Sequence, residues 1–371
     1  FWYEPSFFFF FLTEFDRKWF TYIKGGEFRK WYGNIDLVVN WENEGQEIKS
    51  FSGSTIRNKD FHKKEAVTWT LLASKNGMSA RSIDKNCIFD NNGSSAFPTH
   101  DKLYLLGYLN SKVANACLTI ENPTLAFQVG NIASLPYIDA PNKSDVNSFA
   151  QGCFSISKAD WDSHETSWDF QRNPLWEQQL DIILDEMRER GVFSEDATID
   201  DIGPFNLPDL LQPLEILVEN YQSEWEDLFH QLHRNEEELN RKFIEIYGLQ
   251  DELTPDVPLD EITILQKGEI SIEDNQIVWH KDVVIKQFIS WMVGCFMGRY
   301  SADKPGLIIA SQGQKVEDLD LPAMTLEIDD DGIIPIVQES DFFTADMTQR
   351  IEAGIKVLFG EQNFYDNMKY I

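Results

Sequence analysis

The stretch from Lys24 to Asn34 (Lys-Gly-Gly-Glu-Phe-Arg-Lys-Trp-Tyr-Gly-Asn) packs three cations, three glycines and three aromatic rings into eleven residues. That mixture suits contact with a nucleic acid. The Gly25-Gly26 pair lets a backbone come close to a ligand, because no side chain blocks the approach. Lys24, Arg29 and Lys30 supply charge for phosphates or base edges, while Trp31 and Tyr32 offer rigid faces for stacking. An ordinary turn between two strands accounts for the same composition equally well.

Reading bases in a major groove uses Arg or Lys on guanine and Asn or Gln on adenine. The first 150 residues supply Lys24, Arg29, Lys30, Asn34, Arg57, Asn58, Lys59, Lys63, Lys64, Lys75, Asn76, Arg81, Asn91, Asn92 and Gln128. Arg29, Arg57 and Arg81 are the leading candidates among them. Trp31, Tyr32 and Trp69 are read as half core and half platform.

Other constellations are weaker. Glu226, His230, His233 and Glu237 share one helical face and could ligate a metal, but such a ladder is usually a solvated polar face. No metal site is expected. Asp36 with Glu47-Ile48-Lys49 imitates a carboxylate–x–lysine nuclease site, yet the usual preceding proline is missing. Ser94-Ser95 after Gly93 lacks the flanking pattern of a nucleophile elbow. Nothing in the chain amounts to an active site.

Charge localises the candidate surface. The 371 residues carry a formal net charge of −30. Residues 1–150 hold 16 Lys+Arg and 16 Asp+Glu, so the whole excess lies beyond them. Phosphate contact needs local cations, which places a DNA face in the first 150 residues. The acidic remainder would be repelled by a duplex at close range and suits solvent or a protein partner. Four scattered cysteines without a C-x-x-C pair suggest neither a zinc ribbon nor a disulfide framework. No secretory or membrane-spanning segment is found, because the run around Phe288 to Met297 is too short. A cytoplasmic protein without a membrane partner is expected.

The elements that must position these residues are mixed. Ile35–Trp41 reads as a short strand. Val67–Leu72 reads as another, returning through Asn76-Gly77 to Arg81–Phe89 as a hairpin. Asp101–Leu118 has helical spacing, and Asn122–Pro136 closes the unit with irregular chain and a strand. Pro141–Ser148 looks like a linker. Helices are expected over Leu175–Arg190, Glu219–Tyr247 (stopped by Gly248) and Asp282–Tyr300, with a last one from Met347. Short extended pieces are expected at Ile262–Leu265 and Ile277–Trp279.

Several segments together carry a family resemblance. The Lys24–Asn34 segment with Ile35–Trp41 resembles the start of the target-recognition region in PglX-type adenine methyltransferases of BREX phage defence. Met78–Arg81, Phe89–Pro98 with its Gly-Ser-Ser, Leu105–Lys112, Asn122–Gly130, the helix with Asn235–Asn240, and Val293–Ser301 are similar in the same order. The resemblance spans roughly residues 15 to 371, and single-chain type IIG restriction–modification enzymes share the pattern.

The resemblance implies an α/β (α+β) mixed fold. A DNA target-recognition domain over 1–140 has short strands and helices. A linker at 141–150, an acidic helical domain over 151–280 and a C-terminal helical region over 281–371 then follow. Its implied DNA-binding set is Lys24, Gly25, Gly26, Arg29, Lys30, Trp31, Tyr32, Asn34, Arg57, Lys59, Lys63, Lys64, Lys75 and Arg81. The family's Asn-Pro-Pro-Tyr-type tetrapeptide and its glycine-rich S-adenosylmethionine loop are absent; the Asn-Pro pairs Asn122-Pro123 and Asn173-Pro174 lack a second proline. The catalytic domain and its bound S-adenosylmethionine are therefore expected upstream, in a parent of which this chain is a fragment. The start at Phe1, the Phe7–Phe11 run and the end at Tyr370-Ile371 fit that expectation.

The implied partners are double-stranded DNA, other BREX defence components and a phage-made acidic DNA mimic acting as inhibitor. The alternatives are the recognition part of a type IIG enzyme that also cleaves DNA, and a non-enzymatic interaction scaffold built on the acidic half.

Overall fold

The computed structural model describes residues 2–3, 18–72, 77–122, 124, 126–202, 210–309, 325–330, 332–336 and 346–371. Lys75, Asn76 and the Phe7–Phe11 run, singled out above, lie outside the described residues. The fold is mixed α/β, with ten α-helices and nine short strands among the described residues. Contacts divide the chain into two compact units. The first comprises Phe1–Trp161, Asp227–Gln266 and Ile272–Gln276; the second comprises Asp162–Glu226, Lys267–Ser271 and Ile277–Ile371.

Two small sheets organise the first unit. β1 (Trp2–Tyr3), β2 (Trp19–Ile23), β3 (Leu37–Asn40) and β6 (Cys87–Phe89) form one, in the order β1-β3-β2-β6. Side chains alternate across a strand. Phe20 of β2 joins Val39, Trp41 and Ile88 in one apolar cluster, with Tyr22 packed against it. On the opposite face Ile23 joins Ala66, Ile83 and Cys87. Each such large side chain, fully buried, contributes roughly 1.5–3 kcal/mol.

β4 (Ala66–Trp69), β5 (Ala80–Ile83) and β7 (Ser95–Ala96) form the second sheet, in the order β5-β4-β7. The expected hairpin is present in part: β4 pairs antiparallel with β5 from Ala66↔Ile83 to Trp69↔Ala80. The returning run does not stay in that sheet. Its end, Cys87–Phe89, leaves to pair in parallel with β2.

α1 (Glu42–Ser50) follows β3, with left-handed backbone at Asn43, Glu44 and Gly45. Asp101–Leu118, expected as one helix, is two: α2 (Lys102–Leu109) and α3 (Lys112–Glu121). The break is built by side chains. Ser111 caps α3 by accepting from the Ala114 N–H. Asn110 grips Ala80 of β5 in both directions, accepting from its N–H at 2.8 Å and donating to its carbonyl at 3.0 Å.

α4 (Val129–Ser134) is capped by Gln128. The stretch expected as a linker instead enters α5 (Ser144–Asp162), whose Val146, Ala150, Cys153 and Ile156 form a buried stripe. The polar N-terminal turn of that helix hid its apolar face. α6 (Pro174–Glu189) begins with Asn173 as N-cap and proline in the first turn. α7 (Leu214–Tyr247) ends at Gly248, whose φ of 66° is a left-handed stop.

β8 (Ile270–Glu273) and β9 (Gln276–Trp279) form a hairpin through Asp274 and Asn275. Both turn residues have positive φ, the mark of a type I′ turn. Ile262–Leu265 is not a strand. α8 (Lys281–Phe296) carries Phe288 and Trp291 into the core of the second unit. There Trp176 and Trp291 stack at 6.5 Å, and Phe288 meets Phe359 of α9 (Met347–Phe359) at 5.3 Å. α10 (Phe364–Tyr370) closes the chain. Among the described residues no helix is long and apolar enough to cross a membrane.

Candidate nucleic-acid interface

The glycine- and cation-rich segment lies inside the first unit. Trp31 forms a bridge beside Arg81 of β5, its N–H donating to Ala80 and its carbonyl accepting from Ser82, both at 2.8 Å. Arg29 is 4% exposed. Its Nη2 donates to Asp160 at 2.8 Å, its Nε donates to the Tyr32 carbonyl at 2.7 Å, and its guanidinium lies over the Trp161 ring. Lys30 and the Trp31 indole N–H both donate to the Glu236 carboxylate, the latter at 2.7 Å. Tyr32 is buried edge-on against Phe154.

Arg81 is also enclosed, at 1% exposure. It donates to the Arg29 carbonyl and to the Thr70 hydroxyl, both at 3.1 Å. Burial pushes the Arg81 guanidinium down to about 10, and the neighbouring Arg29 charge adds to the effect. Arg29, Lys30, Trp31, Tyr32 and Arg81 are therefore interior residues rather than surface contacts. Their partners consume the charge and the ring faces that made them look like a DNA loop.

The glycines serve the same compact turn. A Cβ on Gly25 would meet the Asn92 carbonyl at 3.2 Å, and one on Gly26 would collide with Asn34. The close approach is to the protein's own chain. Asn34 closes the turn by donating to the Glu27 carbonyl at 2.9 Å, and Lys24 is half-buried.

The remaining candidates face outward. Arg57, Asn58, Lys59 and Lys64 are exposed, and Lys63 is half-buried with an ion pair to Glu44 at 2.7 Å. From Lys49 to Lys64 the chain carries five cations, Lys49, Arg57, Lys59, Lys63 and Lys64, against one anion, Asp60. In a chain of −30 this is a locally basic strip.

Beside it opens a cleft of about 890 Å³. It is lined by Tyr22, Trp41 and Ile88 of the Phe20 cluster and by Arg57, Asn58, Phe61 and His62. Phe89, Asn91, Phe97 and Gln128 line it as well. Four of the amide and guanidinium candidates thus converge here: Arg57, Asn58, Asn91 and Gln128. Phe61, 44% exposed, packs on Phe97 at 4.8 Å, with Lys64 over its ring.

His62 sits edge-on to Trp41 and Phe89, at 5.0 and 5.1 Å. Burial lowers its pKa below the ordinary 6.5, with Lys63 and Lys59 adding to that and the Arg57 backbone and Glu44 opposing. It is neutral at neutral pH. Asp90 is the acid lining the cleft, and its Oδ1 accepts from the Asn92 and Gly93 N–H groups. Burial, followed by Asp90, pushes the Tyr22 phenol well up, so it stays protonated.

Sequence reading passed over Phe61, His62 and Phe97. The available signal was an aromatic residue set among cations in Arg57–Lys64, the same pattern that drew attention to Lys24–Asn34.

Members of the weaker constellations have partners within the protein. His233 Nε2 lies 2.7 Å from the Val257 carbonyl, and Glu237 accepts from the Val257 N–H at 3.2 Å. Among the described residues no group of His, Cys, Asp and Glu is placed to hold a metal. Glu47 accepts from Asn40 at 2.7 Å. The second unit holds a buried polar knot: His164 and Gln287 both reach Glu269 Oε1 at 2.6 Å, and the Lys267 N–H donates to Oε2 at 2.8 Å. Burial pushes the Glu269 carboxyl up, but the His164 hydrogen bond and charge outweigh it and hold the group below its ordinary value.

No family model matches the chain. It is 33% identical over 368 residues to the adenine-specific methyltransferase PglX of Lacticaseibacillus casei (strain Zhang), a match covering 96% of this chain and 27% of that protein. It is 31% identical over 365 residues to the adenine-specific methyltransferase BrxX of Escherichia coli O9:H4 (strain HS), covering 95% and 27%. The chain thus spans about a quarter of the length of the curated relatives it matches. Over nearly its whole length the chain is thus similar to about a quarter of a PglX-like adenine-specific methyltransferase.

Proposed function

We propose that this chain is the DNA-recognition part of a site-specific N6-adenine methyltransferase. The observation that carries the reading is the basic strip Lys49–Lys64 beside a cleft lined by Arg57, Asn58, Asn91 and Gln128. The relatives' names supply the reaction class. Arg57, Lys59 and Lys64 would contact phosphates and fix the duplex, since each neutralised phosphate releases counterions. The amides and Arg57 are the groups that can discriminate bases.

The chemistry belongs to another part of the protein. An upstream domain would bind S-adenosylmethionine and transfer its methyl group to the N6 of an adenine swung out of the helix. In a BREX setting the mark would label host DNA, and other BREX components would be partners. An acidic phage protein imitating DNA would compete for the basic strip. The second unit, with most of the acidic excess, would face solvent or those partners.

The test is single-molecule methylome sequencing of cells carrying the complete protein, with and without Arg57→Ala. N6-methyladenine on one strand of a short non-palindromic motif, weakened or altered by the substitution, is the expected result. An unchanged methylome in the presence of the complete protein and its partners would overturn the reading.

A further inference from the structure

We infer that the cleft of the first unit receives an unpaired nucleotide of the bound DNA, a claim that rests on the reading of that surface as a DNA interface. Shape comes first. A major groove is read by an element that protrudes into it, such as a helix or a β-ribbon. A cleft of about 890 Å³ is the opposite shape. It admits something that protrudes from the DNA, and a nucleotide turned out of the stack protrudes.

The lining fits that occupant. Unstacked bases are held by aromatic faces and by hydrogen bonds to their exposed edges. Phe61 presents the most exposed ring at the cleft, at 44%. It is held in place by Phe97 at 4.8 Å and carries the Lys64 ammonium 5.2 Å from its centroid. Asn58, Asn91 and Gln128 bring amides, each able to donate to and accept from a base edge. Arg57 and Lys59 stand beside Asn58 in the chain, where the sugar–phosphate of a turned-out nucleotide would leave the cleft.

Apart from Arg57 and Asp90, the residues lining the cleft carry no formal charge when His62 is neutral. His62 is held uncharged by burial between Trp41 and Phe89. Asp90 Oδ1 accepts from the Asn92 and Gly93 N–H groups, which ties that oxygen to its own turn. Lys59 and Lys64 lie near the lining residues in the chain, while the lining itself is mostly rings, amides and aliphatic groups. A nucleotide has the matching distribution, with an anionic backbone and a neutral, flat base.

The experiment compares two duplexes of one sequence, fully paired or carrying a single unpaired 2-aminopurine nucleotide, bound by the 371-residue chain. Stacking on one ring corresponds to a preference of about 5- to 150-fold. The expected result is tighter binding of the bulged duplex by at least about 5-fold, with quenching of the 2-aminopurine emission. Phe61→Ala should bring the ratio close to one and abolish the quenching; Phe61→Tyr, which keeps a ring, should retain both. Equal affinity for the two duplexes, or a preference that survives Phe61→Ala, would overturn the inference and leave the DNA-interface reading standing. Failure to bind either duplex would overturn both.

Discussion

Arg29 and Asp160, 131 positions apart in the chain, meet at 2.8 Å with side chains that are 4% and 1% exposed. Asp160 also accepts from the Leu265 N–H at 2.7 Å, so one carboxylate fastens the Lys24–Asn34 segment to α5 and to a third stretch of chain. Removing one member of a buried pair leaves a charge without compensation, which costs about 3–5 kcal/mol. Asp160→Ala should lower the denaturation midpoint accordingly. The double replacement Arg29→Met with Asp160→Leu should recover most of that loss, measured by urea unfolding followed by tryptophan fluorescence.

Arg81 and Arg57 make a contrasting pair. Arg81→Ala strips partners from the Arg29 carbonyl and the Thr70 hydroxyl and opens space beside Trp31. A loss of about 1–3 kcal/mol of stability is expected. Arg57→Ala, on the surface, should change stability by less than about 0.5 kcal/mol. Thermal unfolding of the two variants checks the assignment. Equal stability losses would contradict it.

These two arginines also mark how far the sequence could be read. The strands at Leu37–Asn40 and Ala66–Trp69 and the helices Pro174–Glu189 and Leu214–Tyr247 follow from local apolar period and capping residues. The mixed α/β character was legible for that reason. The interior fate of Lys24–Asn34 was not, because its counter-charges arrive from Asp160 and Glu236, more than a hundred residues away. A cation beside an aromatic ring looks the same in sequence whether its anion is a phosphate or a distant carboxylate. Arg57 and its neighbours, by contrast, lie in a run with almost no acid. Local charge balance was the better guide to exposure than the density of glycines and rings.

Glu269 supplies a pH dependence. The charge and hydrogen bond of His164 hold its carboxyl below the ordinary value of 4.5, against the opposing effect of burial. A depressed carboxyl contributes stability that is fully present above its unfolded-state pKa and is lost as pH falls through the folded-state value. The melting temperature of the native protein should therefore exceed that of Glu269→Gln near neutrality, and the gap should close as pH falls below about 4.5. A gap that stays constant from about pH 7 to pH 3 would contradict the assignment.

Thiol reactivity offers an independent reading of the core. Cys153 and Cys295 are buried, and burial pushes both thiols well up. Cys87 is also buried, whereas Cys117 is part-exposed on α3. The thiolate is the reactive form, so burial and a raised pKa both slow alkylation. Iodoacetamide should label Cys117 first in the native protein, with the other three reacting only on unfolding. Peptide mass mapping of a labelling time course would show the order.

In the proposed function DNA meets the exposed strip from Lys49 to Lys64 and not the Lys24–Asn34 segment. The most direct test is the salt dependence of duplex affinity. For the native chain log Kd should rise steeply with log salt concentration, and each of Arg57→Ala, Lys59→Ala and Lys64→Ala should reduce the slope by about 1. Slopes left unchanged by all three variants, or binding that does not respond to salt, would contradict the claim.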